Sequence, residues 1–560
     1  MNEMFCFQCQ ETMKNSGCTQ RGMCGKSATV ANLQDLLIYL LKGIAFWGTR
    51  GREMGVNLPE INLFVAQALF ATITNANFDE NRFVDLLKSA ITHRETLRVF
   101  AQSKCQELHG NPCPGTGPDW ASWRPNTYSL DELLEKAVTI GVQADPELDS
   151  DIRSLRQTIT YGLKGIAAYT DHAYIVGGVD DEILAFIQEA LDAITDDQKT
   201  QEELTSLVLR TGSFGVRAMA LLDKANTDTY GNPEPTKVNL GVKPGPGILI
   251  SGHDLLDLEE LLQQTQGMGV NVYTHGEMLP ANAYPAFKKY SHLAGNYGGS
   301  WWHQKDEFGT FNGAILLTTN CIVPVRDSYK DRIFTTGMVG YKDVPHIADR
   351  KPGEQKDFSI VIQRAKQCLE PQELEAGELT IGFAHNAVLS NADKIVNAVK
   401  ESKITRFVAM GGCDGRHSSR SYYNELAKAL PNTTIILTAG CAKYQYNKLD
   451  LGEIDGIPRI LDAGQCNDSY SLVIIAQKLA EAFNVESVND LPLSFDIAWY
   501  EQKAVIVLLA LLSLGIRKIR LGPTLPAFLS PNVVETLVKI FEIKPITTVE
   551  EDLEAILVGK

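Results

Sequence analysis

The sequence predicts a mainly helical N-terminal domain followed by two α/β domains with mainly parallel sheets. Two observations carry this prediction: apolar residues recur with helical spacing through the first 225 residues, whereas short hydrophobic strands alternate with helices after residue 247. The length of 560 residues agrees, because about 150 residues per domain gives roughly three or four domains. We place the domains at residues 1–226, 227–370 and 371–560.

The helical domain begins directly after a group of four cysteines. From Leu33 to Trp47 the apolar residues recur at i, i+3, i+4 and i+7, which predicts an amphipathic helix. Further helices are predicted at 82–100, 130–142, 151–168, 180–194 and 201–223. The segment 226–247 is rich in Pro, Gly, Asn and Thr, so we predict that it is a linker closing this domain.

The remainder has the pattern of α/β domains. Residues 247–251 and 270–274 are strand-like, and the apolar spacing between them is helical, so the three segments form a predicted βαβ unit. Further strands are predicted at 314–319, 379–383, 406–410, 434–438, 459–461 and 519–521, with a helix at 358–369. The apolar run 504–516 is too short to cross a bilayer, which needs about 20 residues, and is predicted to be a buried core helix.

Charge and the N-terminal residues indicate a soluble enzyme. Lys and Arg total 52 against 68 Asp and Glu, a net charge of −16, which excludes nucleic acid and anionic membrane as main partners. The first residues have neither a basic segment nor an apolar segment of a secretory signal, so we expect a cytoplasmic protein. In that compartment thiols stay reduced, and ordered cysteines are expected to be ligands or catalytic groups.

Four cysteines near the N-terminus have the spacing of a metal site. Cys6, Cys9, Cys18 and Cys24 form the pattern Cys-x2-Cys-x8-Cys-x5-Cys. A compact run of four thiols that leads into a helix is typical of a cubane iron–sulfur cluster, whereas structural zinc is usually held by two Cys-x2-Cys pairs. The spacing therefore favours iron and sulfur, with structural zinc as the alternative.

A second group of candidate ligands follows the predicted strands. His253 and Glu277 come after the two strands of the first βαβ unit and are 24 residues apart, which equals one βαβ step. The thiols that follow four further strands are Cys321, Cys413, Cys441 and Cys466. Because the carboxyl ends of parallel strands meet at one edge of a sheet, these side chains are predicted to converge on a metal centre. In three of the four cases a glycine lies within two residues before the thiol, which permits a sharp exit from the strand.

Each of these residues has a simpler interpretation when taken alone. A single cysteine among apolar residues is usually a small buried hydrophobe, and His253 could be a helix N-terminal group beside the predicted cap Asp254. The common topological position of the four thiols favours metal binding over that interpretation. The remaining cysteines, Cys105, Cys113 and Cys368, show no such pattern and are predicted to be structural or incidental.

Motifs along nearly the whole chain resemble the hybrid cluster proteins, also called prismane proteins or hydroxylamine reductases. The segments that carry the resemblance are Phe5-Cys-Phe-Gln-Cys-Gln-Glu-Thr, Tyr273-Thr-His-Gly-Glu-Met-Leu-Pro, Thr318-Thr-Asn-Cys-Ile-Val-Pro, Gly411-Gly-Cys-Asp-Gly-Arg, Thr438-Ala-Gly-Cys-Ala-Lys-Tyr, Gly464-Gln-Cys-Asn-Asp and Ala498-Trp-Tyr-Glu-Gln-Lys-Ala-Val. The resemblance implies that the two α/β domains are Rossmann-like and enclose a mixed iron–sulfur–oxygen cluster at their interface.

The resemblance also implies two cofactors and their ligands. The compact spacing of the N-terminal cysteines matches the family class associated with a [4Fe-4S] cluster. The ligands implied for the hybrid [4Fe-2O-2S] cluster are His253, Glu277, Cys321, Cys413, Cys441, Cys466 and Glu501, with Lys503 beside it. Cys413 matches the position that carries an extra sulfur as a persulfide in the family.

The activity implied by the resemblance is reduction of hydroxylamine to ammonia and water. Glu277 and Glu501 would hold an oxygen-binding iron, and the candidate proton donors are Glu501, Lys503 and His275. Lys503 has an alternative role as a simple ion-pair partner of Glu501. No nicotinamide or flavin fingerprint is found in the sequence, so a separate electron-donor protein is expected.

Three other functions remain as alternatives. Nitric oxide reduction to nitrous oxide, in nitrosative-stress defence, needs the same open and reducing iron. Cluster-dependent protein S-nitrosylation would use a thiol such as Cys413. A carbon monoxide dehydrogenase would need nickel, and the paired glutamates favour an oxygen-containing iron centre instead.

Overall fold

The computed structural model describes residues 3–110, 115–351 and 353–559, and it confirms the predicted fold class. The helices are α1 (Ala28–Glu53), α2 (Pro59–Phe70), α3 (Glu80–His109), α4 (Asp119–Ser122), α5 (Leu130–Ala137), α6 (Ser150–Ile175), α7 (Asp181–Ala193), α8 (Gln201–Tyr230), α9 (Leu255–Thr265), α10 (Gln304–Phe311), α11 (Ser359–Gln367), α12 (His385–Leu389), α13 (Ala392–Lys400), α14 (Ser421–Ala429), α15 (Ser469–Phe483), α16 (Gln502–Ser513), α17 (Pro531–Phe541) and α18 (Val549–Val558). The first eight form the helical part that was predicted.

The described residues also contain sixteen strands. They are β1 (Thr236–Asn239), β2 (Gly247–Ser251), β3 (Asn271–His275), β4 (Leu293–Asn296), β5 (Ala314–Leu317), β6 (Ile333–Thr336), β7 (His346–Ile347), β8 (Glu378–Ile381), β9 (Arg406–Gly412), β10 (Thr434–Thr438), β11 (Glu453–Ile454), β12 (Ile457–Pro458), β13 (Ile460–Asp462), β14 (Leu493–Ala498), β15 (Ile519–Gly522) and β16 (Lys544–Pro545). Twelve of these strands form two six-stranded sheets.

Helix α1 is the centre of the helical part. The hydroxyl of Ser27 caps it by accepting from the backbone N of Val30, and the apolar stripe that predicted this helix is fully buried. Among the described residues α1 is the one helix long and apolar enough to cross a membrane, but 67% of its most apolar window is buried inside the protein. The stripe is therefore part of the protein core.

Both large sheets are parallel and have the same strand order. The first runs β4-β3-β2-β5-β6-β7, and the second runs β13-β10-β9-β14-β15-β16. If the strands of each sheet are numbered along the chain, both orders are 3-2-1-4-5-6, the order of the Rossmann fold. The order reverses between β2 and β5 in one sheet and between β9 and β14 in the other, and ligands of such sheets bind beyond the carboxyl ends of the strands at these reversal points.

Helix α16 joins the second sheet to the helical part. It is buried along its length, as predicted for the apolar run, and it packs against α6 and α8. A Cβ atom at Gly212 in α8 would lie 2.0 Å from the carbonyl oxygen of Leu509, so only glycine permits this approach of the two helices. Because α16 begins directly after Glu501, its packing fixes the position of that carboxylate.

Several local predictions were wrong. The segment predicted to be a linker contains the end of α8 and the strand β1. The strand predicted at 379–383 does not join the second large sheet, because β8 pairs with β1 in an antiparallel pair of its own. Helix α2 and strand β14 were not predicted, and α3 and α6 extend several residues beyond their predicted ends.

Candidate metal centres

The four N-terminal cysteines come together in one loop that precedes α1. Cys6 and Cys18 form an antiparallel bridge through two backbone hydrogen bonds of 3.0 and 2.8 Å. Cys9, Cys18 and Cys24 are buried, and Cys6 is half-buried. Burial raises the pKa of the Cys9 thiol well above its usual value, and the charges of Cys24, Cys6 and Cys18 raise it further.

Donors point at the sulfur atoms of this loop. The backbone N of Met13 donates to the Sγ atom of Cys18 at 3.4 Å. The Nζ atom of Lys26 lies 3.5 Å from the Sγ atom of Cys6 and 2.7 Å from the Oε1 atom of Gln34. Such donors stabilise thiolates, which are the form of cysteine that binds metal.

The second candidate centre lies where the reversal points of the two sheets face each other. His253 follows β2, Glu277 follows β3 and Cys321 follows β5 of the first sheet. The second sheet supplies Cys413 after β9, Cys441 after β10, Cys466 after β13 and Glu501 after β14. The prediction that His253 and Glu277 leave neighbouring strands at one edge is confirmed, because β2 and β3 pair in parallel.

Three of these residues bring one donor atom each to a common point. Those atoms of His253, Glu277 and Cys466 all lie within 4.8 Å of one another, and the three residues are buried. The Nε2 atom of His253 is 3.8 Å from the Oε2 atom of Glu277 and 3.7 Å from the Sγ atom of Cys466. The backbone N of Cys466 donates to the same Oε2 atom at 2.8 Å, while the Oε1 atom of Glu277 is buried without a hydrogen-bond partner among the described residues.

The hydrogen bond from Lys503 determines which ring nitrogen of His253 carries the proton. Its Nζ atom lies 2.9 Å from the Nε2 atom of His253 and 2.9 Å from the Oδ1 atom of Asn320. An ammonium group has no lone pair, so Nε2 must accept, and the proton of the ring sits on Nδ1, which donates to the Oγ1 atom of Thr319 at 3.0 Å. The lone pair of Nε2 therefore accepts from Lys503, while Glu277 and Cys466 lie 3.8 and 3.7 Å from the same nitrogen. The side chain of Lys503 thus contacts His253 and Asn320 and does not form the ion pair with Glu501 that was the alternative.

Glu501 is the N-cap of α16. Its Oε2 atom accepts from the backbone N of Lys503 at 2.9 Å. Burial raises the pKa of Glu501, whereas the charge of Lys503 and the backbone hydrogen bonds act in the opposite direction. The carboxylate is thus held by the helix end and remains buried at 3% exposure.

The thiols differ in how the backbone presents them. Gly412 has φ +105°, and a Cβ atom there would lie 2.0 Å from the carbonyl oxygen of Ala498, so the glycine permits close approach to the neighbouring strand. Cys321 has no glycine before it, and its own backbone adopts φ +71°, which is the left-handed region. A strained non-glycine residue in such a region is common at functional sites.

His275 lies behind the candidate ligands. Its Nδ1 atom is 3.0 Å from the Oγ atom of Ser251, and its Nε2 atom is 2.9 Å from the Oε2 atom of Glu307. Burial acts to raise the pKa of Glu307, but the hydrogen bond and charge of His275 outweigh burial and lower it. Both ring nitrogens of His275 are thus engaged within the protein.

Four residues of the site were missed by the sequence analysis. The Nε2 atom of Gln465 donates to the carbonyl oxygens of His253 and Glu277 at 3.2 and 2.8 Å, and the Nδ2 atom of Asn320 donates to the Sγ atom of Cys321 at 3.2 Å. Both residues directly precede a candidate ligand in the sequence, and that position could have identified them as part of the site. Helix α6 adds Tyr169, whose hydroxyl lies against Cys466, and His172, whose ring stacks on His253 with centroids 5.5 Å apart. Nothing in the spacing of α6 indicates these two.

The other cysteines stay outside both groups. Cys105 is disulfide-bonded, contrary to the expectation that thiols remain reduced, and Cys368 is a half-buried free thiol. Cys113 lies outside the described residues.

Both groups of donors fit a metal cluster. Burial is the largest cause that raises the pKa values of Cys321, Cys441 and Cys466, and nearby carboxylates such as Glu277 raise them further. Several thiolates and carboxylates cannot share a buried chamber without positive charge. Lys443 and Lys503 both act to lower the pKa of Glu277, but Lys443 is already paired with Asp462. The unpartnered Oε1 atom of Glu277 likewise calls for a partner that the described residues do not provide.

Sequence relatives match the chain from end to end. A protein named hydroxylamine reductase from Halothermothrix orenii is 61% identical over 557 residues, with 100% of each chain covered. A protein of the same name from Natranaerobius thermophilus is 60% identical over 559 residues, again with 100% of each chain covered.

Solved structures with this fold include two carbon monoxide dehydrogenases. Carbon monoxide dehydrogenase IV from Carboxydothermus hydrogenoformans has a TM-score of 0.57 at 15% identity and covers 99% of this chain and 92% of its own. The enzyme from Thermococcus sp. AM4 has a TM-score of 0.52 at 17% identity and covers 99% and 90%. The model of the Prismane/CO dehydrogenase family matches residues 4–554. The resemblance seen in the sequence is thus confirmed, and the chain belongs to the Prismane/CO dehydrogenase family.

Proposed function

We propose that this chain is a hydroxylamine reductase, an oxidoreductase that catalyses NH2OH + 2e⁻ + 2H⁺ → NH3 + H2O in the cytoplasm. The observation that carries the proposal is the convergence of donor atoms of the buried residues His253, Glu277 and Cys466 within 4.8 Å of one another. A nitrogen, an oxygen and a sulfur donor at one point suit an iron centre that also takes oxygen. Relatives of the same length that bear this name support the same activity.

The protein contains iron–sulfur cofactors, and we assign two of them. A [4Fe-4S] cluster is assigned to Cys6, Cys9, Cys18 and Cys24. A hybrid [4Fe-2O-2S] cluster is assigned to His253, Glu277, Cys321, Cys413, Cys441, Cys466 and Glu501, with Cys413 as the persulfide position. When bound, the hybrid cluster supplies electrons and an iron position open to a small N–O molecule. The domains assigned are 1–226, which carries the first cluster, and 227–370 and 371–560, which hold the second between them.

Lys503 is the residue best placed to hold a proton for the reaction. Burial alone lowers the pKa of this lysine, but the charges of Cys466, Glu501 and Cys321 outweigh burial and raise it. The side chain is therefore an ammonium group at neutral pH, and the Oδ1 atom of Asn320 holds it at 2.9 Å. The Nε2 atom of His253, which also accepts from it at 2.9 Å, would bind iron instead when the cluster is present. A fixed ammonium beside the iron ligands can protonate the oxygen that leaves hydroxylamine.

The other candidate residues are assigned either to support of the site or to exclusion of water from it. His275 uses both ring nitrogens in hydrogen bonds to Ser251 and Glu307, so we assign it to support of the β3 end. Glu277, Glu501 and Lys503 are 5%, 3% and 1% exposed. In such a dry chamber the interaction of the ammonium with a developing negative charge is stronger than in water.

Nitric oxide reduction to nitrous oxide is a second candidate function. An apolar cavity of about 70 Å³ is lined in part by Gly412 and Ala504, the sequence neighbours of Cys413 and Lys503. An uncharged diatomic gas would enter such a cavity more readily than hydroxylamine, which needs hydrogen bonds. Protein S-nitrosylation through Cys413 has less support, because that thiol is 6% exposed.

The test is a product measurement on protein purified without oxygen. With dithionite-reduced methyl viologen as donor, we expect one ammonia for each hydroxylamine and two electrons, and about eight irons per chain. Ammonia production far below the electron consumption, with nitrous oxide formed from nitric oxide at a higher rate, would transfer the assignment to the second function. Stoichiometric zinc in place of iron would contradict both candidate functions, hydroxylamine reduction and nitric oxide reduction.

A further inference from the structure

The imidazole of His172 is a polar group without a polar partner beside the second candidate centre. His172 lies on α6 and is 6% exposed, and among the described residues neither its Nδ1 nor its Nε2 atom has a hydrogen-bond partner. The neighbouring histidines His253 and His275 are hydrogen-bonded to Thr319 and Ser251. A buried polar group without a partner costs free energy, so an unpartnered ring at a functional site calls for an explanation.

Packing fixes the ring of His172 against the site. It stacks on the ring of His253 with an interplanar angle of 11°, and the ring of Phe70 packs on it nearly at right angles with centroids 5.2 Å apart. Tyr169 precedes His172 by three residues on α6 and so lies on the same helix face, with its hydroxyl beside Cys466. This face of α6 is therefore a wall of the candidate centre.

The packing of His172 does not require its nitrogen atoms. A phenylalanine ring would make the same stack on His253 and the same contact with Phe70 without burying two polar atoms. Burial lowers the pKa of His172 well below its usual value, and the charge of Lys503 lowers it further, so the ring is neutral. A neutral imidazole has one donor and one acceptor nitrogen. These atoms suit a small molecule that can both donate and accept.

We propose that His172 binds hydroxylamine through a hydrogen bond from a ring nitrogen and determines the preference of the site for hydroxylamine over nitric oxide. Hydroxylamine has N–H and O–H donors and lone pairs on both heavy atoms, whereas nitric oxide has no donor. A site that hydrogen-bonds an N–H or O–H group discriminates strongly against a molecule that lacks it. The role is binding alone, so no bond is broken at the ring. This inference rests on the proposed function for its substrate.

The experiment measures ligand binding by the oxidised holoenzyme without an electron donor. Hydroxylamine and nitric oxide are the two probes, and the absorption and electron paramagnetic resonance spectra of the clusters report their binding. The variant is His172→Phe, which keeps a stacked ring. The matched control is His93→Phe, because His93 is a half-buried histidine of α3 whose ring packs on Phe64 with centroids 4.5 Å apart.

We expect His172→Phe to raise the Kd of hydroxylamine about tenfold and the control to change it less than twofold. The Kd of nitric oxide should change less than twofold in both variants. The thermal midpoint of His172→Phe should equal or exceed that of the wild-type protein, because an apolar ring replaces two unpaired buried nitrogens. A ring that serves only the packing of α6 would instead leave the Kd of hydroxylamine unchanged.

Two conservative variants decide the matter if His172→Phe does not retain iron. His172→Asn and His172→Gln keep a donor and an acceptor near the positions of Nδ1 and Nε2, so one of them should bind hydroxylamine within threefold of the wild-type protein. An unchanged Kd in His172→Phe, equal weakening of both probes, tenfold weakening in both amide variants, or no hydroxylamine binding by the wild-type protein would overturn the inference. Binding of hydroxylamine that depends on His172 but yields no ammonia on reduction would reject the proposed function alone.

Discussion

Replacing Gln465 by leucine removes the side-chain amide that links the loop after β13 to the two ligand loops after β2 and β3. The Nε2 atom of this glutamine donates to the carbonyl oxygens of His253 and Glu277 at 3.2 and 2.8 Å. Gln465 is 4% exposed, so neither carbonyl gains water in exchange. Leucine has nearly the volume of glutamine, and the perturbation is therefore the loss of two hydrogen bonds.

The expected magnitude follows from those two bonds. A buried hydrogen bond contributes about 1 kcal/mol, so the pair contributes about 2 kcal/mol to the arrangement that presents His253 and Glu277. That free energy corresponds to about a 30-fold change in an equilibrium constant. The value agrees with the 10- to 100-fold loss of metal affinity that is typical when a residue supporting a metal ligand is removed.

The assay is iron content and hydroxylamine turnover after gel filtration in a mild chelator. Gln264→Leu is the matched control, because Gln264 also makes two hydrogen bonds to the backbone, to Lys356 and Phe358, but lies away from the ligands. We expect Gln465→Leu to lose iron about 30-fold more readily than Gln264→Leu. If the two variants keep iron and turnover alike, the assigned role of Gln465 in holding the ligand loops is wrong.

Three further predictions concern single residues. Glu277→Gln should lower the iron content from about eight to about four per chain and abolish turnover, while the signal of the reduced N-terminal cluster in electron paramagnetic resonance remains; an unchanged iron content would contradict the ligand assignment. Cys9→Ser should remove that N-terminal signal and keep the hybrid iron, whereas Cys368→Ser, at a free thiol outside both groups, should change neither. Burial raises the pKa of Asp171 to about 6, so the folded state holds its proton more tightly than the unfolded state, and this contribution to stability is lost as the pH rises from about 4 to 6. Asp171→Asn, which still accepts from Gln67, should therefore raise the thermal midpoint at pH 7.5 and leave it nearly unchanged at pH 4.5.

The strand ends of the site could be predicted from the sequence because each strand is a short apolar run followed by a polar residue. Spacing by one βαβ step placed His253 and Glu277 on neighbouring strands, and β2 and β3 confirm it. The same reasoning placed Cys413 and Cys441 after β9 and β10, which also pair in parallel. The position of Glu501 came from the family resemblance, because β14 carries Ser494 and Asp496 among its apolar residues and was not recognised as a strand.

Contacts between distant segments could not be predicted. Strands β1 and β8 have four residues each, and they pair although the whole first six-stranded sheet lies between them in the sequence. The stack of His172 on His253 likewise depends on how α6 packs, and no local pattern encodes it. The side chain of Lys503 could be placed near the ligands by resemblance, but its choice of His253 and Asn320 over Glu501 depends on side-chain packing.

The position of the second candidate centre between two sheets has a consequence for biosynthesis. Lys503 and His253 touch although they are 250 residues apart in the sequence, and no ligand from the second sheet exists on the ribosome until the first sheet has been synthesised. Closing a loop of that length is slow, so the chamber is completed among the last events of folding. The N-terminal cysteines, by contrast, lie in one short loop and can take up a cluster early. The two cofactors would therefore be inserted at different stages of folding. A chain that is released with only the first cluster would be folded in its helical part and still inactive.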